Sequence, residues 1–171
     1  MKIFFNASLT GKKLYQLNYL AIINQLEKLG HTIISAPVKT GEIIKVAQAS
    51  QQQAEKYYED LMKSIAAADI NVFEVSYPST GIGHEIAVSL YRGKPVIALC
   101  VKGKNPYIFN SVIDEKLQVI EYSIRDLGKI LVNAINYALD QQDVRFNFFV
   151  SPQIQRYLDW VAKYKRKPRA V

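Results

Sequence analysis

The sequence holds a single cysteine, Cys100, and only two histidines. One cysteine leaves no partner for a disulfide within the chain, and a reducing cytoplasm fits that usage. Cys100 sits in an apolar run, which suits packing better than catalysis. His31 has no second His or Cys beside it, and no cluster with metal-ligand spacing occurs, so no metal is expected. No apolar run approaches the roughly 20 residues of a membrane span. Residues 1–5, MKIFF, start like a strand and not like a signal peptide. Acids are in the minority, 15 against 22 bases, for a net charge of +7. Much of that excess lies in Lys163, Lys165, Arg166, Lys167 and Arg169. Such a basic end suits nucleotides, nucleic acid or an acidic membrane surface, or is a solvated tail, and charge alone does not separate these.

What remains is a chain of 171 residues, 49% hydrophobic, enough for one domain with a real core and an appendage. Its organising stretch is 69–99, DINVFEVSYPSTGIGHEIAVSLYRGKPVIAL. Residues 70–75 form a short apolar run rich in β-branched side chains, as in a strand buried on both faces. Gly81 and Gly83 then open a helix over 83–91, with Ile86, Ala87 and Leu90 on its buried face. Gly93 ends it, and Pro95 begins a strand over 95–100. Strand, crossover helix and strand make a βαβ unit, which requires a parallel sheet.

Chemistry is expected in the loop between that strand and that helix, because open parallel sheets bind ligands beyond the carboxyl ends of their strands. Gly81 and Gly83 let a ligand approach the backbone, and the N–H groups of a helix start favour an anion such as phosphate. Ser79 and Thr80 add hydroxyls. Glu85 falls in the first turn of the expected helix, whose dipole should keep it ionised, as a nucleophile requires. The same residues also fit a plain tight turn with an acid offsetting the dipole, since short glycine patterns are weak signals.

Elsewhere the pattern alternates. Strands are expected at 3–6, 31–36 and 117–121. A helix is expected at 14–29, with Leu17, Leu20, Ile23, Leu26 and Leu29 at helical spacing, and Gly30 closing it. Residues 37–41 read as a loop, and 41–68 as a long helical stretch. Its Gln51-Gln52-Gln53 run is either an exposed face or a break between two helices, before Tyr57, Leu61 and Ile65 resume the apolar stripe. Residues 101–115 read as irregular or briefly helical, with Gly103 and Pro106 as breakers, and a last amphipathic helix runs over 124–139. Five strands alternating with helices predict a doubly wound, flavodoxin-like or Rossmann-like parallel sheet in the order 2-1-3-4-5. Strands one and three are then neighbours at the winding reversal, and loops 6–11 and 76–83 line one crevice. That places Ser8 and Thr10 beside Ser79 and Glu85.

The run ADINVFEVSYPSTGIGHE, with GKPVIAL behind it, resembles the nucleoside 2-deoxyribosyltransferase superfamily, and most closely its branch of 2'-deoxynucleoside 5'-phosphate N-hydrolases. The resemblance covers roughly residues 2–100 and implies a domain over 1–141. It implies a Glu that attacks the anomeric carbon of a deoxynucleotide, by position Glu85, and a Ser and Gly that hold the 5'-phosphate, Ser79 and Gly81. No cofactor and no metal are implied, and a homodimer is. Where the branch carries a Tyr near the end of the first strand, this chain has Phe4. Where its exit loop reads GSIRG, Thr10 stands in place of the Arg. The helical Asp of the branch falls at Leu61, with Asp60 the nearby acid. A nucleotide-binding sensor without catalysis is the alternative expectation.

Residues 144–171 read as a strand-helix tail. Residues 145–150, RFNFFV, alternate like a strand, and Ser151-Pro152 reads as an N-cap with Pro at the first helical position. The segment resembles the first half of a ribbon-helix-helix module, which implies DNA contact through Arg145 and Asn147 and pairing with a second chain. The second helix of such a module would begin where the sequence stops at Val171. Either the module is truncated or the segment packs on the domain as a plain strand and helix.

Overall fold

The computed structural model describes residues 1–34, 50–104, 106, 112 and 114–140. In chain order its elements are β1 (Lys2–Ala7), α1 (Lys12–Lys28), β2 (Thr32–Ile34), α2 (Gln51–Ala67), β3 (Ile70–Glu74), α3 (Thr80–Tyr91), β4 (Val96–Val101), β5 (Leu117–Tyr122) and α4 (Leu127–Asp140). The strands form one sheet, all neighbours parallel, in the order β2-β1-β3-β4-β5. This is the doubly wound arrangement that the alternation predicts. The expected loop at 37–41, the first part of the long helical stretch and the whole segment 144–171, with Arg145 and Asn147, lie outside the described residues.

Because side chains alternate across a strand, each central strand feeds two cores. Ile3 and Phe5 of β1, Ile70 and Val72 of β3, and Ile97 and Leu99 of β4 turn to one face. There they meet Tyr19, Ile22, Ile23 and Leu26 of α1 and Leu127, Leu131, Ala134, Ile135 and Ala138 of α4. Phe4, Phe73, Val96, Ala98 and Cys100 turn to the other face, against Leu61 and Ile65 of α2 and Ile82, Ile86 and Leu90 of α3. Burial on both faces explains why β1, β3 and β4 read as continuous apolar runs. Cys100 is one of these packed residues, and burial pushes its thiol up to about 11.

Several boundaries and faces differ from expectation. Helix α3 begins at Thr80, not Gly83, because Ser79 caps it: its backbone is extended and its hydroxyl accepts from the Ile82 N–H at 3.5 Å. Gly81 and Gly83 therefore lie inside the helix. Ala87 is exposed, since the buried stripe runs through Ile82, Ile86 and Leu90, and the next residue is about 100° away. Leu17 is 77% exposed: α1 buries Tyr19, and a residue two positions away lies about 200° round the helix. Ser50 is extended and forms a capping box with Gln53. The glutamine run thus opens α2, which does not run back unbroken through Ser50. Gly30 (φ 83°) and Gly93 (φ 70°) take the left-handed conformation just past α1 and α3, where the sequence places the helix ends.

Gly11, which caps α1, locks the two halves of the sheet's carboxyl edge together. A Cβ added there would lie 2.6 Å from Tyr77 Cβ and 2.7 Å from the Tyr19 hydroxyl. Only glycine lets the loop after β1 lie flat on the loop after β3. Gly83, in contrast, has nothing within 4 Å of such a Cβ. Gly11→Ala should therefore destabilise by about 1–3 kcal/mol, whereas Gly83→Ala should gain up to about 1 kcal/mol from helix propensity. Urea denaturation of the two variants checks the contrast, and equal effects would contradict the close contact.

Candidate functional site

The site is built where β1 and β3 end side by side. Their register pairs Phe5 with Val72, Asn6 with Phe73 and Ala7 with Glu74. Asn6 follows Phe4 on the face of α2 and α3. Glu85, one turn past the start of α3, reaches the same place from above. The Asn6 Nδ2 donates to Glu85 Oε2 at 2.8 Å, across 79 residues of sequence. Asn6 Oδ1 accepts from the Ala7 N–H at 2.9 Å, and the two side chains are 4% and 6% exposed.

Burial pushes the Glu85 carboxyl up to about 7, against the smaller opposing effect of the Asn6 hydrogen bond. The expectation that the helix start keeps it ionised is corrected here. No acid lies in the first turn of α3, the dipole fades beyond that turn, and desolvation of a nearly enclosed carboxylate is the larger effect. From α2, Tyr57 is close enough for the charge of Glu85, after burial, to raise its phenol. Tyr58 and His84 meet at the exposed surface between α2 and α3, hydroxyl to Nε2 at 3.0 Å, with ring centroids 5.8 Å apart.

The remaining candidates fall as follows. Ser79 caps α3; Thr80 and Gly81 are exposed and Gly83 is half-buried beside it. Ser8 is buried, and its hydroxyl accepts from the Gly11 N–H at 3.1 Å, so it holds the shape of its own loop. Thr10 is exposed on that loop. Asp60 is also exposed, its carboxylate 3.6 Å from the Lys63 ammonium, and no described contact joins it to the group around Glu85. Leu61 and Phe4 are core residues, Phe4 meeting Phe73 edge-on at 5.7 Å. Among the described residues no three His, Cys, Asp or Glu side chains gather as metal ligands, and no helix is long and apolar enough to cross a membrane.

Two buried polar side chains at the sheet's carboxyl edge are absent from the expected set. Asn6 is one, and its signal is an amide at the end of an otherwise apolar strand. Glu74 is the other, an acid inside an apolar strand and fully buried on the α1/α4 face. It accepts from the Ser76 N–H at 3.3 Å, from the Ser76 hydroxyl, and from the Tyr122 hydroxyl at 3.3 Å. The Ser76 Oγ in turn accepts from the Val101 N–H at 2.8 Å. Burial pushes Glu74 up to about 7, with the Ser76 and Tyr122 bonds opposing. Glu74 thereby ties the root of loop 75–79 to β4 and β5.

No protein-family model matches the chain. It is similar to a protein of Syntrophotalea carbinolica, provisionally named 2'-deoxynucleoside 5'-phosphate N-hydrolase 1: 32% identical over 137 residues, 79% of this chain and 94% of that one. A protein of Thermofilum pendens with the same provisional name is 29% identical over 126 residues, 72% of this chain and 86% of its own. Among solved structures, the 2-deoxyribosyltransferase of Bacillus psychrosaccharolyticus shares the fold, with a TM-score of 0.57 and 24% identity over 75% of this chain and 90% of that one.

The two buried carboxyls make stability depend on pH. Each holds its proton to about pH 7 when folded but only to the ordinary 4.5 when unfolded. Between those values the folded state binds more protons, so stability is fully present below about 4.5, falls as pH rises, and levels off above about 7. Urea denaturation at about pH 5 and about pH 7.5 should show a loss on the order of 2 kcal/mol or more. Glu85→Gln should flatten the slope, and an unchanged slope would contradict the burial of an ionisable Glu85.

Proposed function

The chain belongs to the 2'-deoxynucleoside 5'-phosphate N-hydrolase branch of the nucleoside 2-deoxyribosyltransferase superfamily, and we propose that it cleaves or transfers at the N-glycosidic bond of a 2'-deoxynucleoside or its 5'-monophosphate, with Glu85 as nucleophile. The observation that carries this reading is the position of Glu85: buried, hydrogen-bonded to Asn6, and next to the capped start of α3 at the sheet's carboxyl edge.

In the proposed reaction a Glu85 carboxylate oxygen attacks C1' of the deoxyribose. A C1'–O ester bond forms, the C1'–N bond breaks with its electron pair going to the base, and the base leaves after taking up a proton. Water then attacks C1' of the glycosyl ester, releasing the sugar and restoring the carboxylate; a second base doing the same makes the reaction a transfer. Ser79, Gly81, Gly83 and Thr10 are the proposed binding side: Ser79 and Thr10 offer hydroxyls and Gly81 a helix-start N–H to the phosphate and sugar, while Gly83, whose N–H is held by the Ser79 carbonyl at 3.0 Å, offers a surface without a side chain. Ser8 contributes by holding the loop that carries Thr10. Asp60 has no part in this scheme.

Incubation with a panel of 2'-deoxynucleoside 5'-monophosphates, followed by chromatography for free base, tests the reading. Wild type should release base, with a rate that climbs as pH rises through about 7, because attack needs the ionised carboxylate. Glu85→Gln should lose turnover by about a thousandfold or more while nucleotide affinity stays within a few-fold. Undiminished release by that variant excludes Glu85 as nucleophile, and nucleotide binding without any base release by wild type assigns the protein to the sensors. For residues 144–171, the ribbon-helix-helix reading predicts a homodimer in light scattering and a weak DNA binding that falls steeply with added salt; a monomer at high concentration or salt-independent binding contradicts it.

A further inference from the structure

We propose that Asn6 is the positioning residue that makes Glu85 usable as a nucleophile: its side-chain amide, clamped by the backbone, holds one carboxylate oxygen and leaves the other to attack. The inference rests on the reading of Glu85 as nucleophile.

An amide has one accepting and one donating end, so the direction of Asn6 matters. Here the Ala7 N–H at 2.9 Å takes Oδ1, and the end left over for Glu85 is the Nδ2 donor, at 2.8 Å. The pair is nearly enclosed, so water does not compete freely for this bond. A neutral donor stabilises a carboxylate more than a carboxylic acid, and it does so more strongly in a desolvated place. Burial drives Glu85 toward its protonated, non-nucleophilic form, and the Asn6 bond is the influence that opposes it.

Nothing else described near Glu85 does this. Phe4, on the same strand and the same face, has no hydroxyl, and its ring is packed against Phe73. From α2 the facing titratable group is Tyr57, while Asp60 and Lys63 pair on that helix's exposed surface. On α3 itself His84 turns to Tyr58. Glu74 lies on the opposite face of the sheet, hydrogen-bonded to Ser76 and Tyr122. Glu85 Oε2 is thus held by Asn6, and Oε1 is the atom that would reach C1'.

Carbon-13 NMR of glutamate-labelled protein reads the Glu85 carboxyl directly, without turnover. Asn6→Ala should raise its titration midpoint by about one to two pH units. Asn6→Asp, which keeps the shape, should replace one transition by two coupled ones. In the base-release assay the acid limb of kcat/KM should move up with the midpoint in Asn6→Ala. Its deficit should be about tenfold or more at neutral pH and shrink as pH rises. An unmoved midpoint in a variant of wild-type thermal stability, or a deficit equal at every pH, overturns the proposal. If Asn6→Ala does not fold, the wild-type Asn6 amide resonance decides: it should titrate with the same midpoint as Glu85, and a resonance that stays still overturns the proposal. Base release that depends on Glu85 with an unmoved midpoint defeats this inference alone. Base release unchanged in Glu85→Gln defeats the reading beneath it.

Discussion

The parallel pairing of β1 with β3 is the constraint on which the site depends. These strands are far apart in sequence but neighbours in the sheet, and the chain winds away from them in opposite directions. Their carboxyl ends therefore lie side by side at the point where the winding reverses. Gly11 permits the two exit loops to touch, and Asn6 and Glu85 bridge them. Each loop also has its own internal bond: the Gly11 N–H to the Ser8 hydroxyl in the first, and the Ile82 N–H to the Ser79 hydroxyl at the end of the second.

The same edge carries two buried carboxyls on opposite faces of the sheet. Both are desolvated enough to be held well above the ordinary carboxylate range, but their surroundings differ. Glu74 accepts three hydrogen bonds from groups that have structural work to do, and it anchors the strand-to-helix loop. Glu85 has one side-chain donor among the described residues, Asn6, and stands at the carboxyl edge of the sheet. Saturated bonding suits an anchor, whereas a carboxylate with an unfilled acceptor suits attack on carbon.

Much of the fold was legible in the sequence, because strands buried on both faces and helices ended by glycine leave local marks. Gly30 and Gly93 announce their helix ends through a conformation that other residues rarely take. Glu85 and Ser79 stood out in the sequence through one short motif, and both lie at the sheet's carboxyl edge. The start of α3 was not, because glycines read as breakers, while the cap at Ser79 makes them the helix's first turns. The faces of α1 and α3 were misjudged at Leu17 and Ala87, where an apolar side chain at near-helical spacing is no guarantee of burial. Asn6 was hidden for a different reason. A partner 79 residues away is fixed by sheet order and register, which a local pattern does not encode. The ionisation of Glu85 was misjudged because desolvation depends on everything packed around a group, not on its place along a helix.

Trapping the glycosyl enzyme tests the central claim most directly. Wild-type protein mixed with a 2'-deoxynucleoside 5'-monophosphate and acid-quenched early in turnover would be digested and examined by mass spectrometry. The account predicts a mass gain equal to the deoxyribosyl 5-phosphate group on the peptide that contains Glu85, lost on longer incubation as the ester hydrolyses. Release of base with that label on another residue, or with none at any time in turnover, would contradict it.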